Sequence, residues 1–310
     1  MKIVATQPPP RPDPLSSAQA GRLALGIRTT LAGAAVNITL AIAKAITGIL
    51  GHSFALVADA VESLTDVVGS LVILGGLAYS LRPADRNHPY GHGKAEPLAA
   101  ALVAGGMVGA AAAIAWGALR EIRNPHLLPE SYTLWVLAVV VLVKEGMSRY
   151  VLRQNQEVGS AAIKTDAWHH RSDAITSGLA FLGISVALIG GKGYEAADDW
   201  AALGAAVIIL FNAAILLREA LAELTDEETA TPMLTAWEQV ARAVDGVASI
   251  EKIHVRKMGT SYYLDMHLEV DGSLTVRRGH EIAHAVKDAI RAADTRVEDV
   301  FVHVEPVRGT

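Results

Sequence analysis

Residues 54–80 read FALVADAVESLTDVVGSLVILGGLAYS, an apolar run of helix length that nonetheless holds Asp59, Glu62 and Asp66. A bilayer core of about 30 Å is crossed by about 20 helical residues, so this run is long enough to span it. Charges inside a span are costly and mark function by default. Steps of three and four residues put the three carboxylates on one helical stripe. The stretch therefore predicts a membrane helix built around an ionic site.

Working outward, apolar segments predict six spans over roughly 22–50, 54–80, 95–120, 131–152, 161–189 and 196–220. A soluble bundle would need six successive helices apolar on nearly every face. Arg22, Arg28, Arg82, Arg86, Lys94, Arg149, Arg153, Lys164 and Arg218 fall on one side of this arrangement, against Arg120, Arg123 and Lys192 on the other. The positive-inside rule then puts both termini in the cytoplasm.

The 310-residue chain changes character near residue 224: its net charge of −5 lies beyond that point, among 10 basic and 15 acidic residues. That C-terminal part reads as α-β-β-α-β, with helices over about 231–244 and 277–292 and strands over about 247–257, 261–270 and the end of the chain. The predicted fold is a six-helix, all-α transmembrane bundle (21–223) followed by a small ferredoxin-like α+β domain (224–310). Residues 1–20, rich in proline, read as a disordered tail and not as a signal peptide. Without a basic face, nucleic acid is excluded as a partner. With no cysteine, disulfides, thiolate zinc sites and iron–sulfur clusters are excluded too. Any metal must be held by His, Asp, Glu or backbone oxygen.

The fifth span supplies such ligands in Trp168-His169-His170-Arg171-Ser172-Asp173. His169 and Asp173 share a face, while His170 points about 100° away. If the second and fifth spans face each other, Glu62, Asp66, His169 and Asp173 meet at one point. Four N/O ligands suit tetrahedral Zn²⁺, and three carboxylates with one imidazole also accept Mn²⁺, Fe²⁺ or Co²⁺. Asp59 reads as an interfacial or salt-bridged structural group, and Lys144, beside Glu145, as a snorkelling lysine near the cytoplasmic end.

In the loop after the second span, Asp85, His88 and His92 are spaced either for a metal ion or for a simple solvated turn. Glu96 reads as a helix-start charge. In the C-terminal domain, strand alternation turns His254, His267, His303 and Glu305 away from the apolar side, and His280 shares a helix face with His284.

The chain resembles the cation diffusion facilitators, exporters of zinc and related divalent ions, over nearly all of 22–306. The resemblance rests on Glu62-Ser63-Leu64-Thr65-Asp66, on the run Asp85-Arg86-Asn87-His88-Pro89-Tyr90-Gly91-His92-Gly93-Lys94-Ala95-Glu96, on His169-His170-Arg171-Ser172-Asp173, and on the six-span layout with its α+β tail. It implies a transport site at Glu62, Asp66, His169 and Asp173, and a loop site at Asp85, His88 and His92. It also implies a cytoplasmic site among His254, His267, His280, His303 and Glu305, with His284 left as a surface residue.

The implied activity is export of divalent ions, Zn²⁺ first and Fe²⁺, Co²⁺, Mn²⁺ or Cd²⁺ as others, in exchange for protons. The implied setting is a homodimer in the bacterial inner membrane, working by alternating access. One departure is Glu62, where the family usually has Asp or His. The alternative is a non-transporting metal sensor or assembly scaffold. An intramembrane metallohydrolase is not expected, since His-Glu-x-x-His is missing, and neither is any other enzyme.

Overall fold

A computed structural model describes residues 35–123, 128–158, 161–227, 231–259 and 261–307, without the side chains of 151, 154–158, 161–170, 172, 231 and 232. The proline-rich tail expected over 1–20 lies outside the described residues. The described helices of the N-terminal part are α1 (Ala35–Leu50), α2 (Phe54–Ser80), α3 (Ala95–Arg123), α4 (Tyr132–Val158), α5 (Ala161–Gly190) and α6 (Ala197–Leu224). Four of these, α2, α3, α6 and the Asp173–Gly190 part of α5, are long and apolar enough to cross a membrane. The described part of α1 is shorter, and α4 carries Lys144, Glu145, Arg149 and Arg153. Large apolar side chains on these helices face outward, among them Trp116, Trp135, Leu142 and Ile189. Such a surface suits lipid, since only helices and closed barrels satisfy their backbone groups there.

Contacts divide the chain into two units, residues 1–67 with 114–206, and 68–113 with 207–310. In the first unit the start of α2 is fixed with unusual thoroughness. Ser53 Oγ accepts from Leu56 N–H at 3.2 Å and donates to Asp198 Oδ1 at 2.9 Å. Asp198 Oδ2 accepts from Phe54 N–H at 2.6 Å and Ala55 N–H at 3.3 Å. A buried carboxylate thus satisfies orphan donors at the positive end of the helix that carries Asp59, Glu62 and Asp66. The preceding turn needs Gly51, because a Cβ there would stand 2.3 Å from the Thr133 side chain.

In the second unit the C-terminal module forms as expected: α7 (Thr231–Arg242), β1 (Ser249–Met258), β2 (Ser261–Val270), α8 (Val276–Ala293) and β3 (Val297–Pro306). The sheet order is β1-β2-β3, with β1 antiparallel and β3 parallel to the central β2. Strand alternation buries Leu264, Met266, Leu268 and Val270, and helical spacing buries Gly279, Ile282, Val286 and Ile290 against them. Trp237 of α7 closes the same core. Thr275 caps α8 at its start, and Asp294 N–H bonds Ile290 O at its end.

Candidate metal centres

The intramembrane carboxylates sit among lysines whose pairing the sequence reading did not foresee. Lys44, on α1, is fully buried and lies 3.0 Å from Asp59 Oδ1. It also donates to Asp59 O at 3.0 Å and Ser63 Oγ at 2.6 Å. From α5, Ser177 Oγ reaches both Asp59 oxygens, at 3.0 and 2.9 Å. Asp59 is therefore salt-bridged, as one of the two readings of the sequence expected.

Lys144 overturns the snorkelling expectation. It is 1% exposed, and its ammonium donates to Asp173 Oδ2 at 2.5 Å and to Asn37 Oδ1 at 2.8 Å. Snorkelling needs a wet end for the ammonium, whereas here a buried carboxylate and an amide receive it.

Among the described residues, Glu62, Asp66 and Asp173 do not bring one ligand atom each within 4.8 Å of one another. Asp173 is buried and held by Lys144, while Glu62 and Asp66 are half-buried. The Glu62 Oε2 atom is sealed from solvent with no hydrogen-bond partner among the described residues. His169 belongs to α5, four residues before Asp173, but its side chain lies outside the described residues.

The loop trio does come together: one ligand atom each from Asp85, His88 and His92 lie within 4.8 Å of one another. The backbone builds this cluster. Asp85 Oδ1 accepts from His88 N–H at 2.7 Å and Asn87 N–H at 2.8 Å, folding the loop back on itself. Those bonds, the His88 N–H first, hold the Asp85 carboxyl below its ordinary range. Buried His92 has Nδ1 3.4 Å from Arg82 O and Nε2 3.5 Å from Asp85 Oδ2. An Nδ1–H donated to Arg82 O would leave the Nε2 lone pair aimed at the cluster, the arrangement in which imidazole binds a cation.

The same loop meets the β1–β2 hairpin at Gly93, where a Cβ would stand 2.5 Å from Met258 C. Next to it, Lys94 Nζ donates to Glu223 O at 2.5 Å and Asp226 Oδ1 at 2.6 Å. The Glu223 carboxylate accepts from Lys257 Nζ at 2.7 Å and Gly259 N–H at 3.2 Å. Partial burial works against charge on Lys257, but Glu223 outweighs it and raises this lysine above its ordinary range.

In the C-terminal module, His267, His303 and Glu305 form the second cluster within 4.8 Å. Parallel register pairs His267 with His303 and Glu269 with Glu305. His267 Nδ1 is 2.7 Å, and His303 Nε2 3.5 Å, from the same Glu305 Oε1. The His267 hydrogen bond, foremost, holds Glu305 below the usual carboxylate range. Glu251, which sequence reasoning missed, lies 3.7 Å from His267 Nδ1. The cluster includes neither His254, which pairs with Asp265 in the sheet, nor His280, whose ring packs on His284 at 4.5 Å. His280 and Glu305 do line a common cavity of about 430 Å³. Two imidazoles and a carboxylate form a hard-to-borderline donor set, fit for a divalent transition-metal ion.

A family model described as the cation efflux transmembrane domain matches residues 30–225, and one described as the cytoplasmic domain of cation efflux proteins matches 233–307. Metal tolerance protein 2 of Oryza sativa subsp. japonica is 33% identical over 299 residues, covering 88% of this chain and 76% of its own. The manganese efflux system protein MneP of Bacillus subtilis (strain 168) is 30% identical, covering 87% of this chain and 92% of its own. The magnetosome protein MamB of Magnetospirillum gryphiswaldense is 31% identical, covering 87% and 90%. Similarity over both parts of the chain, joined to the apolar helices and the two ligand clusters, shows that this multi-pass membrane protein belongs to the cation diffusion facilitator (cation efflux) family of metal transporters.

Proposed function

We propose that the chain exports a divalent transition-metal ion from the cytoplasm in exchange for protons, as a homodimer with six spans per protomer. The metal binds Glu62, Asp66, His169 and Asp173 from the cytoplasmic side, and movement of the helices opens the site to the other side of the membrane. Protons compete there for the same ligands, since metal binding requires deprotonated carboxylates and a neutral imidazole. Both termini and the domain over 224–310 lie in the cytoplasm, and a bacterial inner membrane is the proposed location.

The observation that carries this reading is the Glu62 Oε2 atom, buried with no hydrogen-bond partner among the described residues. A buried carboxylate oxygen left that way is costly and calls for a cation or a proton. The tetrad suits zinc as the cargo. A second reading, manganese, is favoured by the name of the MneP relative and by the predominance of carboxylate donors. Asp85, His88 and His92, and His267, His303 and Glu305 with His254 and His280 nearby, are proposed as further sites that sense metal without carrying flux.

Uptake into proteoliposomes under an imposed pH gradient, with Zn²⁺, Mn²⁺, Fe²⁺, Co²⁺ and Cd²⁺ in parallel, tests the proposal. Asp66→Ala and Asp173→Ala should each abolish uptake at equal membrane abundance. Near-normal flux in either variant would remove that residue from the site, and metal binding without flux in the unaltered chain would favour the sensor.

A further inference from the structure

We infer that Lys144 is a built-in counter-cation of the transport site: its ammonium occupies Asp173 in the metal-free protein and must be displaced for metal to bind. This rests on the reading of Asp173 as a transport ligand and adds a residue to it.

Four observations on one unit of the chain carry the inference. Lys144 and Asp173 are both buried, and the Lys144 Nζ to Asp173 Oδ2 distance is 2.5 Å, a charge-assisted contact that takes one of the two oxygens a metal would use. The ammonium also holds Asn37 Oδ1 at 2.8 Å, so a neutral acceptor stays with it when the carboxylate is withdrawn. The other lysine buried among the described residues, Lys44, does not perform this role, because it is committed to Asp59, Ser63 and, through Asp59, Ser177. Finally, the pair joins α4 to α5, so exchanging the ammonium for a metal ion changes what links these two helices. A divalent ion and an ammonium repel each other at one carboxylate, so the two occupants exclude each other.

Lys144 is thus a positioning and affinity-setting residue, not a ligand. It weakens metal binding by competing for Asp173, and it returns to the carboxylate when the metal leaves. If the ammonium holds Asp173 in about nine-tenths of the metal-free protein, removing it lowers the apparent dissociation constant roughly tenfold. A residue that merely shaped the site would act in the opposite sense, since its loss would weaken binding.

The test is the KM and maximal rate of Zn²⁺ and of Mn²⁺ uptake, each assayed alone, by the full-length protein in proteoliposomes. Lys144→Met should lower KM roughly tenfold and also lower the maximal rate, because release loses its internal competitor. Lys144→Arg, which restores a cation, should reverse the fall in KM. If Lys144→Met does not reach the membrane, Lys144→Gln, which keeps a hydrogen-bond donor but loses the charge, should lower KM in the same direction and decides the matter. A KM that is unchanged or raised in Lys144→Met and Lys144→Gln, with Asp173→Ala inactive, overturns the counter-cation and leaves the transport site standing. Normal uptake by Asp173→Ala overturns the site itself, and the inference with it.

Discussion

The Lys44 ammonium and the Asp59 carboxylate stand 3.0 Å apart with neither exposed, and Ser177 closes the carboxylate from its other side. Three helices, α1, α2 and α5, therefore meet at one ion pair. Removing one partner of a buried pair leaves an uncompensated charge, whereas replacing both is often tolerated.

Lys44→Met should accordingly destabilise the protein by about 3–5 kcal/mol. Combining it with Asp59→Leu should recover most of that loss. Thermal unfolding of the detergent-solubilised single and double variants checks this, and additive losses would refute the pairing. Asp59→Asn should leave residual metal transport where Asp66→Ala leaves none, and equal damage would place Asp59 among the ligands.

Glu62 carries its carboxylate roughly 1.5 Å further than Asp would, one carbon–carbon bond length. Zinc holds oxygen ligands at about 2.0–2.2 Å, so an error of that size breaks a bond in a rigid site. With helix spacing adapted to Glu, Glu62→Asp should weaken transport of the physiological metal. Faster zinc transport with slower manganese transport in this variant would show that Glu62 serves selectivity for the harder ion.

A fragment covering 224–310 should fold alone, since Trp237, Leu264, Met266, Leu268, Val286 and Ile290 already form a closed core. It should bind Zn²⁺ through His267, His303 and Glu305. Calorimetry should show binding lost in a His267→Ala/His303→Ala double variant and retained in His254→Ala. Retention in the double variant would show that other residues hold the ion.

Asp294 offers a pH test of the same domain. The Arg296 side chain, aided by the Trp237 indole, holds its carboxyl down at about 2, against about 3.9 in an unfolded chain. A depressed carboxylate contributes stability that is fully present above its unfolded pKa and lost as pH falls through the folded one. The stability gap between the domain and its Asp294→Asn variant should thus be constant near neutrality and narrow from about pH 4 to pH 2. Urea titrations across that range measure it, and a gap independent of pH would contradict the linkage.

The spacing of Asp59, Glu62 and Asp66 and the alternation of β2 were readable because period alone determines them. Long-range partners were not readable. Lys44 interrupts an apolar run, and nothing local says that it turns to α2. Lys144 adjoins Glu145, yet neighbours in a helix point about 100° apart, so the two part company. Glu145 takes Arg149 at 2.7 Å and Lys144 takes Asp173. Strict alternation from Ile253 would turn Glu251 inward, but the register shift between Ile250 and Lys252 resets the parity and brings it near His267. The second cluster was visible as candidates, and only the parallel register of β2 and β3 selects His303 and Glu305 from among them.

The contacts around Glu223 imply that covalent continuity is not all that holds the C-terminal module to the end of α6. Lys257 and the Gly259 amide, both of the C-terminal module, bond the Glu223 carboxylate, one of them as a positive charge. Raising the ionic strength should loosen this attachment, because it shortens the reach of the Lys257 charge. The attachment works as an ionic clasp as well as a peptide tether.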